Sequence, residues 1–442
     1  MNILGLKIEE ENHDQTFTRH ISVLLILLLG FTAANYLYNG IFRPLFTEKI
    51  DFEAYYNGAL AFRYKAPIYQ TMVDFFKLGP ARYEGPLPFV YPPCLAIFLS
   101  PLAYLNFNTA AFVWLFINQC FFFSGVYLLL RTISRKYSPI EAVVMIFVFM
   151  NFTPLFVDYL LGQCNGILFF FITAGLYCYR SEKPVYAGLA IALACAMKVI
   201  PILLLFYALW KRQFKVFLAG SLTLGLIFGY SLLFFDLRLL TWYIKFMMNQ
   251  TLLNAFHDNH SLTGFFSRFL THSIWVKGVF DSPTAASICI ILSSLLVLGF
   301  FLFSTRKKTK PSAPETLREY SLAVITMLLL SKMTTTLYLV MLLLPLGVMV
   351  KDMMDQAVPR KWLFFLVPAY AILAFWYPLP AGKFLEMDNY NVLLEGFPAS
   401  FFSIQFLAVI VLWCYFAFGN KSRSSQKHRE TTSPDHKAFP QS

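Results

Sequence analysis

The chain has 442 residues, of which 58% are hydrophobic, 18% aromatic and only 14% charged, with a formal net charge of +12. So few charged side chains cannot cover a water-soluble body of this size, which excludes a soluble enzyme and points to a polytopic membrane protein. The positive charges lie in short clusters between apolar runs, as membrane topology demands, and this excludes nucleic acid as a partner.

The first twenty residues are net acidic (Glu9, Glu10, Glu11 and Asp14 against Lys7 and Arg19) and read as a cytoplasmic head. The apolar run 21–41 follows without a small-residue cleavage site, so it is expected to stay as an anchor helix. Further apolar segments read at 109–130, 139–157, 165–179, 185–197, 200–210, 216–235, 284–303, 319–331, 336–350, 362–379 and 400–418, twelve in all. Residues 91–105, YPPCLAIFLSPLAYL, are apolar too, but read as an interfacial or re-entrant piece. Counting them as a span would send every later basic cluster to the opposite side. Residues 21–419 thus form one membrane unit, and the polar tail 420–442 is expected to be disordered in the cytoplasm.

Basic clusters fall at Arg131/Arg135/Lys136, Arg180/Lys183, Lys211/Arg212/Lys215, Arg306/Lys307/Lys308/Lys310, Lys351/Arg360/Lys361 and the tail from Lys421. Alternation of the segments places all of them on one side, which the positive-inside rule makes cytoplasmic. Residues 42–108, 236–283 and 380–399 then become outside loops, and chemistry is expected to face outward. The seven cysteines are scattered through apolar segments without metal-ligand spacing and read as small buried hydrophobes.

Segments 185–197 and 200–210 are each too short for ~30 Å of hydrocarbon, and between them stands AMKVIPILL with Lys198 and Pro201. A broken hairpin is implied. A similar pattern returns in LLLSKMTTTLYLVMLLLPL, where Lys332 and three threonines interrupt an apolar run. A lysine at such depth either snorkels to the interface or faces an anion, and a lipid phosphate at headgroup depth would supply the counter-charge.

Taken in order, DFEAYYNGALAFRYKAPIY (51–69), FVYPPCLAIFLSPLAYL (89–105), LLGQCNG (160–166), GLAIALACAMKVIPILLL (188–205), NHSLTGFFSRF (259–269) and LLSKMTTTLYLVMLLLP (329–345) resemble glycosyltransferase family 87. These are polyprenyl-phosphate-mannose-dependent mannosyltransferases of the GT-C membrane fold. The resemblance implies an all-α transmembrane bundle of about twelve spans, with amphipathic or re-entrant helices in the first outside loop. It implies a polyprenyl-phosphate sugar as donor, a lipid-linked or glycan hydroxyl as acceptor, inversion at the anomeric centre, and a bacterial plasma membrane location with the active site outside. The aspartate of the first outside loop acts as general base in the family, and Asp51 occupies that position.

Glycosyl transfer needs a base for the acceptor proton and cations for the departing phosphate, jobs that Asp51 and Lys198 fit. Asp51 also suits a helix N-terminus, with Glu53 in the first turn. Tyr55, Tyr56 and Tyr91 are candidates for stacking on sugar faces, or belong to an interfacial aromatic belt. Gln163, Asn165, Asn259 and Arg268 are candidates for sugar hydroxyls or phosphate oxygens, and Gln163 and Asn165 equally suit hydrogen-bonded helix ends. Residues 331–336 depart from the family pattern of Ser-Pro, an aromatic and histidine, reading Ser331, Lys332, Met333, Thr334, Thr335, Thr336. Lys332 is the candidate replacement for a cationic contact there. No cofactor is assigned, and a need for a divalent metal is left open. The rival function is a transporter or flippase of lipid-linked sugars, which would show related halves; no repeat relates 1–220 to 221–442.

Overall fold

The computed structural model describes residues 20, 22–47, 50–78, 87–249, 252–273, 278–376 and 403–419. Most of the expected head, the expected third outside loop at 380–399 and the expected tail 420–442 lie outside the described residues. Among the described residues the fold is helical, with no β-sheet.

Helix α1 (Ser22–Leu45) widens into a π-helical turn at Leu37–Phe42. Three helices fill the expected first outside loop: α2 (Ile50–Arg63), α3 (Gln70–Leu78) and α4 (Pro93–Leu99), the last continued by a 3-10 turn at Ser100–Tyr104. At ordinary helical rise, α4 and its 3-10 turn reach about 20 Å, short of the ~30 Å of hydrocarbon. Helix α5 (Phe107–Ile133) opens on Asn106, whose side chain accepts from the Thr109 N–H at 2.9 Å.

The apolar segment expected at 139–157 is two helices, α6 (Pro139–Met150) and α7 (Thr153–Leu161), bent by 43° at the break. Pro154 has no N–H to give the preceding turn, so the chain restarts there. The bend is tied to α1 by polar contacts: the Asn151 amide donates to Thr32 Oγ1 at 3.0 Å and its oxygen accepts from Asn35 at 2.8 Å.

Next come α8 (Asn165–Arg180), α9 (Pro184–Met197), α10 (Ile202–Trp210) and α11 (Phe214–Ser231). The expected second outside loop holds α12 (Leu237–Asn249) and α13 (Leu262–Leu270). Helix α14 (Pro283–Ser304) is followed by α15 (Pro314–Leu330), a non-helical stretch, and a 3-10 turn at Thr336–Leu342 that runs into α16 (Leu343–Met354). Helices α17 (Arg360–Phe375) and α18 (Ile404–Phe418) complete the described bundle. Five of these stretches are long and apolar enough to cross a bilayer, and the bent pair α6 and α7 makes a sixth.

Burial separates a centre from a rim. Helices α8, α9, α15 and α16 are buried along most of their length, down to fully enclosed Leu168, Ile172, Ala194, Leu328 and Leu344. On α11, by contrast, Leu218, Leu222 and Leu226 each stay more than 60% exposed at four-residue spacing, one continuous apolar stripe turned outward. Helix α14 likewise turns Leu292, Leu295 and Leu296 outward, each more than half exposed. In water such stripes would be a liability, whereas against lipid tails they cost nothing.

Candidate functional site

The site grows from the short link between α7 and α8. Helix α7 ends on Gly162 at φ 72°, a left-handed turn that glycine adopts without strain, and the Gly162 carbonyl accepts from the Trp114 indole N–H at 2.8 Å. The Asn118 side chain clamps the link from α5: its amide donates to the Gln163 carbonyl, and its oxygen accepts from the Ile167 N–H at 3.1 Å. Only glycine fits at 166, because a Cβ there would collide with Asn118 Oδ1. The link is thereby held rigidly with the Gln163 side chain projecting among four others.

Gln163 is the hub. Its Nε2 donates to Asp51 Oδ2 at 3.0 Å and to the Tyr91 hydroxyl at 3.1 Å, while its Oε1 accepts from the Tyr55 hydroxyl at 2.7 Å and from Lys198 Nζ at 3.0 Å. Lys198 closes α9, where Pro201 prevents a direct continuation, and also donates to Asn165 Oδ1 at 3.0 Å. Its ammonium lies 4.1 Å from the centre of the Tyr338 ring. Asn165 in turn donates to Asp158 Oδ1 at 2.6 Å. One amide therefore joins a carboxylate and an ammonium that lie 147 positions apart in the chain.

The two carboxylates near the hub differ in access. Asp158 is fully buried and one of its oxygens has no hydrogen-bond partner, whereas Asp51 is half-buried. Asp51 lies in the first turn of α2, and burial raises its carboxyl above the ordinary range, opposed by the Gln163 hydrogen bond and the Lys198 charge. Tyr55 and Tyr91 pack with ring centres 4.6 Å apart beside it, and Tyr55 is also 5.7 Å from Trp114. Tyr56 points elsewhere, donating to the Leu105 carbonyl at 2.7 Å and so fastening α2 to the end of the first loop.

A second polar cluster forms where the loop before α13 meets residues 332–336. The Asn259 side chain donates to the Lys332 carbonyl and accepts from the Thr334 N–H, both at 3.0 Å. Arg268 is fully enclosed and donates to the carbonyls of Phe256 at 3.0 Å and Asn259 at 2.6 Å, and to Ser403 Oγ at 3.1 Å. Both residues thus hold the loop's shape. Asp258 receives Thr336 Oγ1 at 2.5 Å and lies 3.0 Å from His260 Nε2. Burial alone would raise the Asp258 carboxyl, but these hydrogen bonds outweigh it and hold the group below the usual range. The Lys332 side chain is exposed.

Asp51, Gln163, Asn165, Lys198, Tyr55 and Tyr91 are therefore brought together, while Tyr56, Asn259, Arg268 and Lys332 serve other contacts. Sequence reasoning missed Asn118, Trp114 and Tyr338. Asn118 sits next to Gln119 in a long apolar helix, and a pair of amides in such a run was the signal that polar partners meet it there. Among the described residues no three of His, Cys, Asp or Glu are grouped as a metal ion requires.

A family model described as glycosyltransferase family 87 matches residues 89–331. The polyprenol-phosphate-mannose-dependent alpha-(1-2)-phosphatidylinositol pentamannoside mannosyltransferase of Mycolicibacterium smegmatis (strain ATCC 700084 / mc(2)155) is 26% identical over 196 residues, 43% of this chain and 43% of the relative. The aligned stretch thus spans less than half the length of that relative. No solved structure matches the chain. The family match takes in more than half of the 442 residues, including Gln163, Asn165, Lys198 and the Asp258–Arg268 part of the second polar cluster but neither Asp51 nor residues 332–336, and on that extent the chain belongs to glycosyltransferase family 87.

Proposed function

We propose that the protein transfers a hexose, mannose in the first instance, from a polyprenyl-phosphate donor to a hydroxyl of a lipid-linked or glycan acceptor, with inversion. The observation that carries this reading is the amide bridge from Asp51 through Gln163 to Lys198. Inversion by single displacement asks for a base at the acceptor hydroxyl and positive charge near the phosphate that leaves. Asp51 is the half-buried carboxylate of the two near the hub, and its raised pKa makes it a stronger base than an ordinary carboxylate. Lys198 holds its charge a side chain's length away, with two of its three N–H donors spent on amide oxygens. Tyr91, partly exposed, supplies aromatic surface for a sugar ring, while Tyr55 is fully buried and backs it. The donor class rests on the family and on the donor of the Mycolicibacterium relative.

The test is transfer itself. Membranes containing the protein should move labelled mannose from a polyprenyl-phosphate donor into lipid or glycan, and membranes lacking it should not. Equal incorporation by both would remove the proposal.

The site is proposed to face the extracytoplasmic side of a GT-C-like bundle of about twelve spans, the short helices α9, α10 and α18 counting among them. In support, the ends of α5 and α8 that carry Arg131 and Arg180 are the ends remote from Gln163, and Arg180 reaches the loop before α15 through the Ser312 carbonyl at 3.0 Å. Lys65 and Lys308 are both exposed, Lys65 just after α2 in the expected first outside loop and Lys308 in the loop before α15. In a background without native cysteines, Lys65→Cys should react with a membrane-impermeant maleimide from outside and Lys308→Cys from inside. Reaction of both from the same side would overturn the topology.

A further inference from the structure

Helices α5 and α8 run parallel from the hub, since Asn118 meets Gln163 and Ile167 at one end and the Arg180 guanidinium reaches the Thr132 carbonyl at 2.9 Å at the other. From Asn118 to Arg131 the helical rise amounts to about 20 Å. At that far end an open cavity of about 530 Å³ is lined by Arg131, Arg135, Arg180, Ser134, Ser181 and Ser312 among others. Nothing in the chemistry proposed for the hub uses it.

Three guanidinium groups converge on one polar cavity. Among the described residues, Arg131 and Arg135 form no ion pair, and both are exposed. Arg180 gives its two terminal nitrogens to the Thr132 and Ser312 carbonyls, which fixes the plane of the guanidinium, yet its Nε is buried without a hydrogen-bond partner. A buried donor left unmade is costly, and so is like charge gathered in one place. Glu182 stands at the margin, its Oε1 accepting from the Ser312 hydroxyl at 3.1 Å, so it offsets part of the charge at most. The positive-inside rule accounts for basic residues at this end of the helices. It does not account for a cavity that collects them, or for an orphaned Nε beside it.

We infer that this cavity binds a phosphate group of more than one negative charge, presented either by an anionic lipid headgroup or by a soluble phosphate compound. Arginine forks match phosphate oxygens in pairs, the Ser181 hydroxyl is placed to take a further lone pair while those of Ser134 and Ser312 donate to the Lys136 carbonyl and Glu182, and basic pockets between helix ends at a cytoplasmic surface are where such headgroups settle. The cavity is a binding site separate from the proposed catalytic hub.

The full chain, reconstituted in phosphatidylcholine nanodiscs with and without phosphatidic acid, separates the two sources. Native mass spectrometry reads retained lipid, and thermal unfolding during titration with inorganic pyrophosphate reads soluble anion. Because Arg131 and Arg135 are exposed and outside any ion pair, the double variant Arg131→Gln/Arg135→Gln should fold normally, and it should lose the anion's affinity by roughly tenfold or more. Retention of phosphatidic acid alone assigns the headgroup, and protection by pyrophosphate in pure phosphatidylcholine assigns a soluble ligand. An equal response from wild type and double variant, or no preference of the wild type for either anion over phosphatidylcholine, overturns the inference.

Discussion

Asp51→Asn should cut sugar transfer by ~10²–10⁴-fold, the range expected when a general base is lost, while the protein stays as stable as the wild type or becomes more so. The amide keeps the shape and an oxygen that accepts from Gln163 Nε2, but it cannot take a proton from the acceptor. The stability half of the prediction follows from the direction of the pKa shift. Burial raises the Asp51 carboxyl, so the folded chain holds that proton more tightly than the unfolded chain. Such a group contributes fully below its unfolded pKa, and the contribution is lost as pH rises through its folded pKa. At neutral pH the ionised Asp51 therefore weighs against the fold, and an uncharged isostere removes that burden. The same shift predicts that wild-type transfer declines on the acid side at a pH above the ordinary carboxylate range. Initial rates across pH and thermal unfolding, measured on both proteins, check all three statements. Near wild-type turnover by the variant would remove Asp51 from the mechanism and make Glu53, half-buried two positions along α2, the next base to test.

Lys198→Met should lower turnover by ~10²–10³-fold, the loss typical of removing one donor that stabilises developing negative charge. Methionine matches the reach of the aliphatic stem and keeps the packing against Tyr338, but Gln163 Oε1 and Asn165 Oδ1 each lose a donor. Thermal stability should fall as well, because Asp51 and Asp158 lose their nearby positive charge. The two roles separate when turnover is normalised to folded protein and donor affinity is measured directly. Loss of stability with unchanged turnover per folded molecule would make Lys198 a pillar of the fold and nothing more.

The sequence treats Lys198 and Lys332 as twins, each interrupting an apolar run, and the structure separates them. Lys198 follows a full helix and is stopped by Pro201, so its side chain folds back onto the link before α8. Lys332 belongs to a non-helical stretch whose backbone is consumed by Asn259, and its side chain turns outward. Hydropathy registers depth and cannot register which way an irregular backbone turns. The positions of the short helices α9 and α10 were legible within two residues, because proline and lysine punctuate them. The bend at Asn151 was not, since a single amide and a Thr-Pro pair barely disturb the mean apolarity of 139–157. In the site, the residue types of Asp51, Gln163 and Lys198 were readable, but their meeting depends on Asn118 and Trp114 clamping the link from α5, a tertiary event without local signature.

The Gln163 amide has one orientation that satisfies its neighbours, with the NH₂ toward Asp51 and Tyr91 and the oxygen toward Lys198 and Tyr55. Turned over, it would aim its oxygen at a carboxylate and its hydrogens at an ammonium, two repulsions for two attractions. Such a bridge carries electric influence between its ends, yet a carboxamide has no proton it readily gives up and no basic nitrogen to accept one. It is a wire for field and an insulator for protons. In the proposed transfer, a proton taken by Asp51 therefore cannot drain to Lys198 through the Gln163 amide and leaves by the part of the carboxylate that stays accessible.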